Sequence, residues 1–320
     1  MISQTPPIRL LRASAVLGIA VAITPLHVQA GSELEQRLRY QYDNKILVLR
    51  DFYHGERLSY DSADSPVSGS AVSGDWTVDG FVRVVALSLS AQRLTIQAER
   101  LSVAKTGQSL QLQSYGDKKK KKKKPKKENR LDIEIAVDSG GITADKADAA
   151  LSRIFLTSRD RFADHVPEYW KPCVLAASTG KGGKKYPECI FATEFAAIPG
   201  VVSNLDQSPE PEGEGDGDAK APVVPVRKME KGVKPPKVIF QKDPSFSEQA
   251  RRAKYQGTVV LLLTVDKAGQ VRNLRILDPL GFGLDQKAVE SVSTWRFNPG
   301  TKDGEPVDME IAIEVDFHLY

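Results

Sequence analysis

Residues 237–320 predict an α+β domain in which a three-stranded antiparallel sheet carries two helices on one face. Three observations predict this class: an apolar run that reverses at a glycine turn, an apolar repeat with helical spacing, and a last segment in which apolar and polar residues alternate. Because the last strand has a polar face, the helices are expected on the opposite face only.

A β-hairpin forms the first part of the predicted sheet. Residues 258–265 are an apolar run, and residues 266–269 turn it back into a second extended run, residues 271–277. Gly269 suits the fourth position of this turn, because a positive φ angle costs little only for glycine. Two adjacent antiparallel strands are therefore expected here.

The second predicted helix begins near Gly283 and has one apolar face. Four apolar residues recur at spacings of four, four and three, namely Leu284, Ala288, Val292 and Trp295. Residues with these spacings share one side of a helix, so this face is expected to be buried. The motif that follows supplies the expected core signature of the domain, which is Trp295, Phe297 and Pro299.

The last predicted strand alternates between two kinds of residue. The apolar row is Met309, Ile311, Ile313, Val315 and Phe317, and the other row, with the residue that follows it, is Glu310, Ala312, Glu314, Asp316 and His318. The first row is expected to pack on a helix and the second to face water. The acidic row at the edge of a sheet is the predicted site for binding a basic partner segment.

These pieces together resemble the TonB C-terminal domain family. The matching residues are Gly257 before the apolar strand, Val265, Asp266, Gly269 and Val271 in the hairpin, Leu284, Asp285 and Ala288 in the helix, Trp295, Phe297 and Pro299, and the segment 304–307. The chain departs from the family at Phe246 and Ser247, where Tyr-Pro is usual, and at residues 279–281, where Ser-Ser-Gly is frequent. The resemblance covers about a quarter of the chain.

The resemblance implies an energy-transducing adaptor that acts in transport across the cell envelope and is not an enzyme. Its expected partner is an outer-membrane receptor or another envelope protein, bound by β-augmentation at the last strand. The alternative is a periplasmic structural or interaction module without energy coupling, in which the same edge pairs with a second copy to give a homodimer. No cofactor is expected.

Residues 1–30 have the features of a cleaved signal peptide. Arg9 and Arg12 precede an apolar stretch, residues 13–23, and the segment ends in Val28, Gln29 and Ala30, an A-x-A-like cleavage site. A periplasmic protein is therefore expected. The alternative is an inner-membrane anchor facing the periplasm, but the apolar stretch is shorter than the ~20 residues that a spanning helix needs.

The two cysteines, Cys173 and Cys189, are predicted to form a disulfide. An even count in an exported chain favours a bridge, which by loop closure would stabilise the fold by ~3 kcal/mol. Two buried thiols are the alternative. A metal site is less favoured, because the segment between the cysteines offers no ligand spacing.

A lysine run, residues 118–127, accounts for the basic charge of the chain. Without its nine lysines the formal net charge of +4 becomes −5, so a nucleic-acid-binding protein is not indicated. The run lies between two strand-like segments, residues 110–113 and 131–135, which predicts a solvated loop at a hairpin tip. Binding of Lys118 to Lys127 to an anionic surface is the functional alternative.

The rest of the chain divides into two segments. Residues 31–200 predict a β-rich N-terminal module, mainly antiparallel, with one or two helices, of which residues 143–155 are the clearest. Residues 201–236 are rich in acidic residues and proline and predict an extended linker. The C-terminal domain then occupies residues 237–320.

Catalysis is not predicted anywhere in the chain. The nearest approach to a site is residues 51–55, which contain Asp51, Tyr53 and His54. A turn at Gly55 explains this segment without chemistry, since no histidine, nucleophile and carboxylate combine into a recognisable set. No metal site is predicted either.

Overall fold

The computed structural model describes residues 26–63, 65–67, 72–107, 109–114, 129–137, 141–157, 159–178 and 231–319. The helices are α1 (Leu26–Tyr42), α2 (Trp76–Asp79), α3 (Ala144–Ile154), α4 (Lys171–Ser178), α5 (Glu248–Ala253) and α6 (Leu284–Val292). The strands of the N-terminal module are β1 (Ile46–Val48), β2 (Tyr53–His54), β3 (Arg57–Tyr60), β4 (Val72–Ser73), β5 (Phe81–Leu89), β6 (Arg93–Thr106), β7 (Ser109–Ser114) and β8 (Arg130–Ala136). Those of the C-terminal domain are β9 (Val233–Lys234), β10 (Lys237–Phe240), β11 (Gly257–Val265), β12 (Val271–Asp278), β13 (Arg296–Asn298), β14 (Gly300–Lys302), β15 (Glu305–Val307) and β16 (Met309–Phe317).

The N-terminal module is built on a sheet with the strand order β1-β5-β6-β8-β3, to which β7 adds beside β6. All its strand pairs are antiparallel except β3 with β8, which run parallel. One face packs on α1 and α3 in a hydrophobic core that includes Leu38, Leu151 and Ile154. The predicted helix near residues 143–155 is confirmed, and the Thr143 side chain accepts a hydrogen bond from the Lys146 amide at its start.

The long strand β6 organises this sheet, because it is paired along both sides. On one side β5 covers residues 94–101, and on the other side β8 covers residues 93–99 and β7 covers residues 101–106. Strands β7 and β8 therefore lie end to end beside β6 and do not pair with each other. The prediction that the lysine run caps a hairpin of these two strands is wrong, since proximity in sequence suggested a pairing that β6 makes with each of them instead.

The C-terminal domain has the predicted mixture of helices and antiparallel strands. Its main sheet has the order β12-β11-β16, and β11 and β12 form the predicted hairpin. Two small sheets, β10-β13 and β9-β14-β15, accompany it and were not anticipated from the sequence. Helices α5 and α6 contribute Ala250, Leu284 and Ala288 to the core that contains the inward row of β11.

One hydrophobic core joins the two modules. It combines aromatic residues of the N-terminal module with residues of β11, β12 and α6. Trp76 and Trp170 meet edge to face at 4.9 Å between ring centroids, and Phe162 lies 5.3 Å from Trp76. Trp170 is fully buried and shares this core with Phe282. The modules are therefore packed against each other, although the sequence predicted a linker between them.

Several predictions concern residues outside the described ranges. The residues concerned are most of the signal segment, Cys189, the lysine run and residues 201–230 of the linker. Helix α1 begins at Leu26 and continues past Ala30. In the part of the chain that the structure describes, no helix combines the length and apolarity required to cross a membrane.

Candidate binding site at the open edge of the C-terminal sheet

Strand β16 is an edge of the C-terminal sheet. It pairs with β11 over its whole length, from the pair of Gly257 with Phe317 to the pair of Val265 with Met309. Among the described residues no strand lies on its other side. Its outward-pointing backbone N–H and C=O groups are therefore available to an added strand.

The two rows of β16 side chains differ in exposure. The apolar row becomes more buried toward the end of the strand, where Val315 and Phe317 are in the core and Phe317 meets Phe246 edge to face at 5.4 Å. The other row is exposed, and it consists of Glu310, Ala312, Glu314 and Asp316. His318 is exposed just beyond the strand. All five predicted edge residues are therefore exposed, four of them in one row of β16 and His318 just after the strand.

The acidic side chains of the exposed row differ in whether they have an ion-pair or hydrogen-bond partner. Glu310 forms an ion pair with Arg275 at 2.5 Å, and Asp316 accepts a hydrogen bond from the Thr258 hydroxyl at 2.5 Å. Glu314 has no ion pair or side-chain hydrogen bond within the described ranges, and it lies opposite Val260. The Glu314 carboxylate is therefore the acidic group of this row most available to a partner.

The opposite edge, on β12, is covered by the N-terminal module. The Cys173 Sγ atom lies 3.4 Å from the Ile276 carbonyl oxygen, and the turn Glu168–Trp170 packs along the same strand. The main chain after β12 then pairs with β6, because the Lys105 amide donates to the Leu280 carbonyl at 3.0 Å and the Phe282 amide donates to the Val103 carbonyl at 2.8 Å. From Ile276 onward this edge is closed to a partner strand, while Arg272 and Asn273 near the start of β12 are exposed.

Gly281 lies at the closest approach of the two modules. Its φ is +86°, and a Cβ atom added there would lie 2.3 Å from the carbonyl oxygen of Val103. Only glycine satisfies both conditions without a shift of the backbone. We call residues 279–283, which contain Gly281, the docking loop.

Polar contacts tie the docking loop and its surroundings to the N-terminal module. The Lys105 ammonium group lies 2.9 Å from both carboxylate oxygens of Asp278. The Tyr255 hydroxyl donates to the Lys105 carbonyl at 2.7 Å, and the Gly283 amide donates to the Thr77 hydroxyl at 2.9 Å. The junction therefore combines apolar packing with directed hydrogen bonds.

Two of the three core-signature residues are buried in the hydrophobic core. Trp295 is 8% exposed and Phe297 is 3% exposed, while Pro299 is partly exposed. Helix α6 ends at Val292, so Trp295 lies in the turn that follows the helix. Its indole N–H donates to the Lys242 carbonyl at 3.1 Å, which joins this turn to the start of the domain.

The segment 51–55 has partners that the sequence did not indicate. The His54 Nδ1 atom lies 2.9 Å from a carboxylate oxygen of Asp79, and the Arg100 guanidinium lies 3.3 Å from the other oxygen. Hydrogen bonding to Asp79 raises the pKa of His54 above its usual value. Asp79 and Arg100 are 25 and 46 positions further along the chain than His54. Only the tertiary structure brings them together, so no local sequence pattern could have predicted this contact.

His54 borders a cleft of about 520 Å³ between the two modules. The cleft also contains Arg252, Gln286 and Lys287 from the C-terminal domain. Within the described residues His54 has no hydrogen bond to a serine, threonine or cysteine side chain, and no group of three potential metal ligands occurs. The arrangement holds the imidazole in place and offers no reacting pair.

Comparison with known proteins identifies the C-terminal segment. The family model described as the Gram-negative bacterial TonB protein C-terminal matches residues 242–319. Protein TonB of Vibrio cholerae serotype O1 is 34% identical over 87 residues, which are 27% of this chain and 36% of that protein. Protein TonB of Xanthomonas campestris pv. campestris is 31% identical over 77 residues, 24% of this chain and 34% of that protein.

The chain therefore spans about a third of the length of these curated relatives. A solution NMR structure of the Pseudomonas aeruginosa TonB CTD covers 28% of this chain and 89% of its own, with 18% identity and a TM-score of 0.22. The predicted resemblance is confirmed for residues 242–319. The N-terminal module lies outside the residues that the family model matches.

Proposed function

We propose that this chain, whose residues 242–319 form a TonB C-terminal domain segment, is an envelope adaptor in energy-dependent transport and not an enzyme. Its partner is an outer-membrane transporter or another envelope protein. The partner contributes an extended segment that adds to β16 as a fourth strand. Backbone hydrogen bonds supply the affinity of such an interaction, and alternate side chains supply the choice of partner.

This proposal rests on one observation: the two edges of the sheet differ in how far other parts of the chain cover them. The β12 edge is covered by the N-terminal module from Ile276 onward, and β16 has a neighbour on one side only among the described residues. An added strand would place its side chains beside the exposed row that contains Glu314. Opposite charges in neighbouring strands stabilise a pair by about 0.2–1 kcal/mol, so a basic partner segment fits best.

The same charges disfavour pairing of β16 with a second copy of itself. In an antiparallel pair centred on Ala312, Glu310 faces Glu314 of the other copy. In a pair centred on Ile313, Glu310 faces Asp316. Like charges directly opposite each other destabilise a strand pair, so both registers favour a different, cationic partner over a homodimer.

A photo-crosslinking residue in place of Glu314, introduced in the full-length protein in its native host, tests the proposal. We expect a crosslink to an outer-membrane transporter or another envelope protein. The matched control carries the same residue in place of Glu305, which is exposed on β15 away from the edge, and should give none of this product. A crosslink from position 314 only to a second copy of the chain would contradict the adaptor and support the homodimeric interaction module.

The compartment needs a separate test. Export to the periplasm with removal of residues 1–30 would give a mature chain that begins at Gly31. Mass spectrometry of the native N-terminal peptide distinguishes this from an inner-membrane anchor, which would retain the segment. Thiol titration of the denatured, unreduced protein tests the Cys173–Cys189 bridge, for which we expect no free sulfhydryl.

A further inference from the structure

Strand β10 carries three consecutive apolar residues that the described part of the chain leaves exposed. Val238 is 41% exposed, Ile239 is 61% exposed and Phe240 is 54% exposed. Single exposed apolar residues are ordinary on a protein surface, but a contiguous group of large ones marks a place where something binds. We call these three residues the β10 patch. They lie neither on the β16 edge nor in the cleft beside His54.

Strand β10 has one neighbour. Among the described residues it pairs with β13 alone. Strand β13 is in turn held at the β11–β12 turn, where the Phe297 amide donates to the Gly269 carbonyl at 2.9 Å. The other side of β10 has no strand within these ranges, so the β10 patch lies on an outermost strand of the domain.

The side chains of β10 project to solvent without an inward-facing row. A regular strand on a packed sheet buries every second side chain. All four residues of β10 are exposed instead, and its pairing with β13 shifts register between Val238 and Phe240. A strand added at the free edge would bond to the backbone and leave most of these side chains uncovered. The boundary region of a lipid bilayer surrounds a projecting segment and covers all of them.

The chain around the β10 patch is basic. Residues 231–242 contain four exposed lysines and no acid, and Asp243 is the first acid that follows. None of the four lysines has an ion pair within the described ranges. The exposed Arg296 lies opposite Phe240 on β13. The lysines are Lys231, Lys234, Lys237 and Lys242. Unpaired cations around an apolar patch complement a surface that is anionic outside and apolar beneath.

We propose that the β10 patch and its four lysines form a docking surface for an anionic lipid bilayer. The apolar side chains insert at the boundary between headgroups and acyl chains, about 5–10 Å deep, while the ammonium groups stay among the lipid phosphates. An open strand edge is not tolerated in the hydrocarbon interior, but water still reaches the backbone at this boundary. Pro235 and Pro236, just before β10, have no N–H group to leave unpaired. The surface uses no residue of β16.

Tryptophan fluorescence of the full-length variant Phe240→Trp tests the insertion. The protein is mixed with vesicles of equal parts phosphatidylglycerol and phosphatidylcholine, whose acyl chains carry bromine as a quencher. We expect the emission of the added tryptophan, after subtraction of the wild-type signal, to shift to the blue and to be quenched. Val72→Trp is the matched control, since Val72 is 59% exposed on β4, and its added signal should not be quenched.

Vesicle affinity separates the apolar and the electrostatic contributions. The double variant Ile239→Ser and Phe240→Ser should bind these vesicles roughly tenfold more weakly or less, because two partly exposed apolar side chains no longer enter the bilayer. Val72→Ser should leave binding unchanged. Lys234→Gln and Lys237→Gln should each weaken binding by up to roughly fivefold at low salt, and this loss should shrink as salt rises.

Adsorption through residues 118–127 alone is a separate outcome. It would give equal binding of the wild-type protein and the double serine variant, with no quenching of the tryptophan at position 240, and would overturn the proposal. Equal binding to vesicles of pure phosphatidylcholine, or no binding to the anionic vesicles, would overturn it too.

A photo-crosslinking residue in place of Ile239, in the native host, decides between lipid and protein. A crosslink to lipid supports the docking surface, and a crosslink only to another protein, to a second copy or within the chain contradicts it. The crosslink from position 314 tests a different strand, so failure of the docking surface is distinguishable from failure of the proposed adaptor function.

Discussion

The β12 and β16 strands flank the same central strand, β11, yet the rest of the molecule treats them differently. The end of β12 is covered by packing of the N-terminal module from Ile276 onward, and the backbone just after it pairs with β6, whereas β16 has no second neighbour among the described residues and carries exposed acidic side chains. An uncovered strand edge is a hazard for aggregation, which proteins reduce by covering it or by placing charge on it. This sheet combines both solutions, and the difference between its edges is why we propose strand addition at β16.

Removal of Trp170 should have the largest effect on the covered edge. Trp170 is fully buried between Trp76 and the β12 side of the core, so Trp170→Ala would leave a large cavity. We expect a loss of about 3–5 kcal/mol in the free energy of unfolding, measured by urea denaturation. Leu175→Ala in the neighbouring helix is the control, since Leu175 is 46% exposed, and it should change stability far less.

The close approach at the docking loop predicts the next largest effect. Gly281→Ala and Gly304→Ala both place a side chain at positive φ, but the added Cβ meets the Val103 carbonyl only at position 281. Positive φ alone costs of order 1 kcal/mol, so Gly304→Ala should lose about that much and Gly281→Ala clearly more. Equal losses in thermal or urea unfolding would mean that the docking loop is not held against β6.

The ion pair between Lys105 and Asp278 should contribute less. Both side chains are about one-fifth exposed, so the pair is screened more than a fully buried one. A double-mutant cycle with Lys105→Met and Asp278→Asn should give a coupling energy of about 1 kcal/mol. A coupling energy near zero would show that apolar packing alone closes this edge.

Changes on the bare edge should affect binding and leave stability almost unchanged. Glu314→Gln keeps the shape of an exposed side chain that has no ion pair among the described residues, so the free energy of unfolding should stay within about 0.5 kcal/mol. Affinity for a basic extended peptide should fall, and Glu314→Lys should lower it further because the charge is reversed. Isothermal titration with an acidic peptide of the same length is the control, and it should show the opposite order.

Local patterns were sufficient to predict the parts of the fold that depend on neighbouring residues. The β11–β12 hairpin and helix α3 follow from apolar periodicity and from Gly269 and Thr143 at their turns and caps. The alternation of β16 placed Glu314 on an exposed face. Each of these features depends on about a dozen neighbouring residues, so it can be predicted from a single sequence.

The junction could not be predicted, because its contacts join residues far apart in the chain. Asp285 matched a general preference for acids in the first turn of a helix, yet it is buried under the docking loop, whose Leu280 and Gly281 amides donate to it. Trp295 continued the helical spacing, but the helix ended three residues before it. Strands β7 and β8 were adjacent candidates for a hairpin, and only the pairing partner β6 excluded it.

The end-to-end arrangement of β7 and β8 has a consequence for how this module can be edited. Ser114 lies opposite Leu101 and Arg130 lies opposite Glu99, so a single residue facing Arg100 is enough to connect them, and Asn129 already precedes Arg130. Joining Ser114 directly to Asn129 would therefore give one continuous strand in unchanged register. Residues 115–128, which include the whole lysine run, can therefore be treated as an insertion that is removable without changing the sheet. The position between Ser114 and Asn129 is also suited to inserting a different segment.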